Sequence, residues 1–116
     1  RDHVENYGLP VDYLDLIIYT GFGFPGRDLL FTRSCDAVVI GCGRIGTIHE
    51  FTVAFEDGKP VGILGGPWVT DTEIESIIKN GNVNSDNVVV DDDPKRLIEK
   101  LIKKVEEQKA ILYKNH

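Results

Sequence analysis

The stretch AVVIGCGRIGTIHEFTVAF, from Ala37 to Phe55, decides the fold. Four apolar residues, Ala37 to Ile40, run without polar interruption into glycines spaced Gly41-x-Gly43-x-x-Gly46. An uninterrupted, β-branched run of this kind reads as a buried parallel strand, and the glycines as the tight turn that ends it. Beyond the turn, Ile48, Phe51, Thr52 and Phe55 recur at three- and four-residue spacing, which is helical. Strand, glycine turn and helix N-terminus together make an anion site. The first amides of the helix lack internal partners, the helix dipole is positive there, and glycine admits a close ligand.

At 116 residues the chain is expected to be a single domain, 1–116, and its 41% hydrophobic content suits an ordinary globular core. Thirteen basic against 19 acidic residues leave a net charge of −6, which argues against a nucleic-acid partner. The basic residues that do cluster, Lys95, Arg96, Lys100, Lys103 and Lys104, alternate with Glu99, Glu106 and Glu107 as on a solvated helix face. No apolar run is long enough to span a membrane, and no signal peptide is expected. Cys35 and Cys42 lie in or beside apolar runs rather than in a spaced framework, so a cytoplasmic location is expected. His, Cys, Asp and Glu nowhere take metal-ligand spacing, so neither a metal nor another cofactor is expected. The chain begins at Arg1 rather than Met, from which a fragment or processed chain is expected.

Taken in order, residues 1–10 read as a loop broken by Gly8 and Pro10. Leu16 to Tyr19 is expected to form a strand, followed by the glycine-rich loop Gly21 to Gly26. A short helix is expected from Arg27 to Cys35 with Leu30, Phe31 and Ser34 inward. After the central helix, Asp57-Gly58 is a stop and Lys59 to Leu64 another buried strand, ended by Gly65, Gly66 and Pro67. Thr70 with Glu73 reads as a capping box for a helix carrying Ile74, Ile77 and Ile78, closed by Asn80-Gly81. Asn87 to Val90 reads as a strand. Asp93-Pro94 then opens a long final helix with Leu97, Ile98, Leu101, Ile102 and Val105 inward. This alternation predicts a Rossmann-like α/β domain, a parallel sheet flanked by helices, with its ligand at the carboxyl ends of the strands. The loops after Tyr19, Ile40 and Leu64 are expected to converge there on one crevice.

Gly41 to Gly46 matches the dinucleotide fingerprint, but that site also needs an acidic residue about 20 positions on, at the end of the next strand. Leu64-Gly65-Gly66 stands there instead. A second pattern covers more of the chain. Tyr19-Thr-Gly-Phe-Gly23 before Arg27, Asp36, the turn Gly43-Arg-Ile-Gly46-Thr47-x-x-Glu50 and the strand KPVGIL resemble the lysine-decarboxylase-like family, whose best-described members are the "lonely guy" phosphoribohydrolases. The resemblance spans roughly residues 7–101 and is closest to a less-studied bacterial and archaeal branch. Cys42 stands where the family has proline, and Arg44 where it has its second glycine. Family members also begin with a further half-domain, so the chain is expected to be the carboxyl-terminal part of the full domain, or to have the missing layer supplied by another subunit.

The resemblance implies cleavage of the N-glycosidic bond of a nucleoside 5′-monophosphate. On that pattern Arg27 and Glu50 are the catalytic candidates. Glu50 would stabilise an oxocarbenium-like sugar and activate water, and Arg27 would hold phosphate or sugar with its planar fork of donors. Thr20, Gly21, Gly43, Arg44, Gly46 and Thr47 are the candidate phosphate and nucleotide binders. The resemblance also implies a homodimer or higher homo-oligomer, because family sites are completed by a partner subunit. A non-catalytic nucleotide sensor or carrier of the same fold and an NAD(P)-binding Rossmann fragment stand as alternatives. Plainer readings exist for each residue. Thr47-x-x-Glu50 is also a capping box, Arg27 can be a surface arginine, and His49 a solvated or packed side chain; Trp68 lines a base pocket or covers the sheet edge.

Overall fold

The structure, a computed structural model, describes residues 10–67, 69–81 and 85–114, with backbone alone at 69–71. Among them the elements run α1 (Gly23–Arg33), β1 (Val38–Ile40), α2 (Ile45–Glu56), β2 (Val61–Leu64), α3 (Val69–Asn80), β3 (Val88–Asp91) and α4 (Pro94–Lys114). The three strands form one parallel sheet in the order β1-β2-β3. Its register pairs Ile40 with Ile63 and Leu64 with Asp91, so the strands' carboxyl ends lie along one edge. This is the Rossmann-like α/β arrangement that the alternating pattern predicts.

Burial explains why the sheet has helices on both faces. Along β2, Val61 and Ile63 point one way and join Ile40, Phe51, Ala54 and Ile74 in a single buried cluster, so α2 and α3 cover that face. Gly62 points the other way. A Cβ on Gly62 would stand 3.3 Å from Leu97 Cδ1 and Leu101 Cδ2, the two buried residues of α4. The glycine therefore sets how closely α4 lies on the second face. Phe51 is wholly buried and stacks on Phe55 with ring centroids 5.4 Å apart. Such a ring contributes by its buried area and by the pairing itself. At the amino-terminal edge, Asn87 Nδ2 and Gln108 Nε2 both donate to the Gly58 carbonyl, at 3.0 and 2.7 Å. Gly58 itself needs its freedom, with φ +68° at the end of α2.

Several expectations are corrected. Residues 16–19 form no strand: they join no ladder, and Leu16 is 75% and Ile18 71% exposed. A strand needs a hydrogen-bonding neighbour, and among the described residues both edge strands, β1 and β3, pair only with β2. The glycine-rich loop after Tyr19 thus leads from a segment outside the sheet directly into α1. That helix starts at Gly23, four residues ahead of Arg27, because positive φ at Gly21 (+73°) and Gly23 (+70°) turns the chain early. Its inward residues are Asp28 and Thr32, while Leu30, Phe31 and Ser34 are exposed. Composition misleads here because the face turned to α2 is polar. In α4 only Leu97 and Leu101 are buried, and Ile98 and Ile102 lie largely exposed, because one sheet face accepts a narrower stripe than the sequence offers. The helix α3 begins at Val69, so Thr70 is inside it rather than its cap. Trp68 lies outside the described residues.

Candidate functional site

The glycine turn joins the carboxyl end of β1 to the first turn of α2. Arg44 is the N-cap residue with extended backbone, and its carbonyl receives the first helical bond from the Ile48 amide at 3.2 Å. No side chain caps the end, and the first turn holds no acid. The amides of Ile45, Gly46 and Thr47 therefore find no partner inside the helix, and no acid of the helix's own first turn offsets the positive pole of its dipole. Thr47 is the third helical residue. Helical side chains lean toward the N-terminus, and Thr47 folds back on the turn so closely that a Cβ on Gly43 would overlap its hydroxyl. Glycine at 43 is thus required by the contact with Thr47.

The placement of Thr47 disposes of the capping-box reading. A capping box requires threonine at the N-cap and glutamate at the third helical position, whereas here Thr47 holds that third position and Glu50 lies one turn further in. Glu50 is half-buried. Gly46, His49 and Glu50 stand at i, i+3 and i+4 and so share one face of α2.

That face meets α1. Asp28 has a side chain only 9% exposed, and its carboxylate oxygen Oδ2 lies 3.3 Å from His49 Nδ1 and 3.9 Å from where a Cβ on Gly46 would sit. The neighbouring Arg27 is exposed, with Nη2 3.6 Å from Asp28 Oδ1 and its guanidinium 4.7 Å above the Phe24 ring. Through Asp28 the second turn of α1 is brought against the first two turns of α2, so Arg27 and Glu50 flank a contact between their sequence neighbours. Thr20 and Gly21 precede α1, where the Phe22 amide donates to Thr20 Oγ1 at 3.3 Å. Thr20 is thereby committed to shaping the entry to α1. Beyond His49 an open groove of about 380 Å³ runs between the two helices, lined by Leu29, Arg33, His49, Thr52, Val53, Glu56 and Asp57. Arg33 closes its far end on Asp57, bonded at 3.0 and 3.1 Å, and the carboxylate raises the guanidinium pKa.

Sequence reading missed Asp28. The signal was the i, i+4 pair Asp28 and Thr32, which becomes an inward face once α1 is known to begin at Gly23. Asp93 caps α4, its Oδ1 accepting from the Arg96 amide at 3.0 Å. Asp91, buried at the carboxyl end of β3, binds Arg96 Nη2 at 3.1 Å and Lys100 Nζ at 2.8 Å and also accepts from the Asp93 amide. Those donors, Arg96 foremost, hold its carboxyl well below the usual carboxylate range. Asp91 O receives the Gly65 amide at 2.9 Å, which ties the loop after β2 to the same edge.

A parallel sheet carrying an uncapped, glycine-lined helix N-terminus at its carboxyl edge defines a Rossmann-like α/β protein. The family comparison agrees: the chain belongs to the SLOG cluster4 family, whose model matches residues 2–98. Membership points to a nucleotide-related function. No curated protein and no solved structure matches the chain. Among the described residues no helix is long and apolar enough to cross a membrane, and no group of His, Cys, Asp and Glu is arranged to hold a metal ion.

Proposed function

We propose that the chain binds a nucleoside 5′-monophosphate at the N-terminus of α2 and hydrolyses its N-glycosidic bond, as the resemblance to lysine-decarboxylase-like phosphoribohydrolases implies. The observation that carries the reading is the start of α2 at Ile45, which frees Glu50 from capping and leaves its first amides without a side-chain partner. The phosphate is held by the turn Gly43 to Thr47, with Arg44 adding charge and Thr20 and Gly21 bounding the α1 side. Arg27 holds the phosphate or the sugar. Glu50 activates water against an oxocarbenium-like sugar.

The test is incubation of the chain with AMP, GMP, CMP and UMP and chromatography for free base. Glu50→Gln should lower release by about 10²–10⁴-fold while retaining nucleotide binding. Arg27→Ala should weaken binding. Binding without release by the wild type would replace this reading with a nucleotide sensor or carrier, which Cys42 and Arg44 favour by departing from the hydrolase motif. An NAD(P) site is disfavoured because β2 ends at Leu64 with no acidic residue in Leu64-Gly65-Gly66 to hold ribose hydroxyls. Self-association belongs to the same proposal. The outer edge of β1 is unpaired among the described residues, and Leu16, Ile18, Phe22 and Phe24 lie exposed ahead of it. Sedimentation equilibrium reads the outcome: a monomer at all concentrations removes the homodimer.

A further inference from the structure

We propose that Asp28 and His49 are the proton-handling pair of this site, with His49 protonating the departing base and Asp28 holding the imidazole in place; the proposal rests on the nucleotide reading above. A carboxylate as buried as that of Asp28 is costly unless partnered. His49 Nδ1 at 3.3 Å is a closer partner than Arg27 Nη2 at 3.6 Å. An Nδ1–H donated to a carboxylate fixes the ring and leaves Nε2 as the nitrogen for a second partner. The His49 side chain is 41% exposed, so a ligand can reach it.

Position adds the second argument. His49 lies on the α2 face shared with Gly46 and Glu50, within about 6 Å along the axis from the start of the helix. Asp28 Oδ2 approaches the same first turn at Gly46. Left bare, that carboxylate would oppose a bound phosphate, whereas an imidazolium on it balances the charge.

Chemistry supplies the third. Glycosidic cleavage with inversion uses two groups in opposite protonation states, an acid for the leaving group and a base for water. Glu50 serves as the base. In the step, the C1′–N bond breaks with its electron pair leaving on the base, and the Nε2 proton passes to a ring nitrogen of that base. Water forms the new bond to C1′ and gives its proton to Glu50, from which it returns to Nε2 through solvent. One water is consumed, and free base and ribose 5-phosphate are released.

The experiment measures base release by the full chain from AMP, GMP, CMP and UMP. His49→Ala and His49→Gln should each lower kcat by about 10²–10⁴-fold with KM unchanged. Imidazole in the buffer should restore part of the loss in His49→Ala. Asp28→Asn should lower kcat about 10–100-fold, and the double variant should be no slower than His49→Ala alone. Retained kcat in both His49 variants overturns this proposal and leaves the hydrolase reading standing. Loss of activity together with nucleotide binding, unrescued by imidazole, shows a structural residue and overturns it as well. A wild type that releases no base from any of the four overturns both.

Discussion

The Thr47 side chain lies folded back on Gly43, four residues earlier, filling the space that the Cβ of any larger residue would need. The contact fixes the path of the turn where the first amides of α2 emerge, so the proposed anion site and the local packing depend on the same two residues.

Gly43→Ala should therefore force Thr47 out of place, costing about 1–3 kcal/mol as overpacking does, and should weaken AMP binding. Gly41 supplies the contrast, because nothing lies within 4 Å of a Cβ built there. Gly41→Ala should be neutral or stabilise by up to about 1 kcal/mol through the unfolded chain. Urea midpoints with and without AMP check both.

The second close approach is that of α4 to Gly62. At 3.3 Å from Leu97 and Leu101, a single methyl can be accommodated by small side-chain shifts, but a branched side chain cannot. Gly62→Val should cost about 1–3 kcal/mol and more than Gly62→Ala, with the cost read from chemical denaturation. A destabilisation no greater for valine than for alanine would mean that α4 does not rest on this residue.

The run Val38 to Ile40, the KPVGIL strand and the glycine stops pointed to the parallel sheet, because strands of such sheets are apolar on both faces; β2 is buried from Val61 to Ile63, whereas Val39 on the edge strand β1 is 48% exposed. Residues 16–19 have the same composition and are not a strand, since pairing is a property of neighbours that no local window contains. The glycine turn and Thr47 were legible as a motif. The Asp28–His49 contact was not, because it joins residues 21 apart through the packing of α1 on α2, and because α1 turns a polar face inward.

Asp91 gives a prediction about acid. In the folded chain Arg96 and Lys100 hold its carboxyl below its ordinary value, so the unfolded chain binds the proton more readily. The stabilisation is fully present above pH ~5 and is lost progressively as pH falls below the ordinary carboxylate value near pH ~4. Asp91→Asn removes the charge at every pH. Its urea midpoint should lie below that of the wild type at pH 7, and the two should converge toward pH 2. A gap independent of pH would show that the pair with Arg96 and Lys100 contributes nothing through charge.

Two phenylalanines separate buried from merely apolar. Phe51 is wholly buried between α2 and the sheet and stacks on Phe55, so Phe51→Ala should cost about 3–5 kcal/mol. A domain of this size has only about 6–17 kcal/mol to lose, so the variant should unfold at a much lower urea concentration. Phe31, which the sequence would place inward, is 59% exposed on α1. At concentrations where the chain is monomeric, Phe31→Ser should change stability by no more than about 0.5 kcal/mol. Any larger loss under those conditions would mean that α1 buries the face its composition suggests, and that Asp28 does not point toward α2.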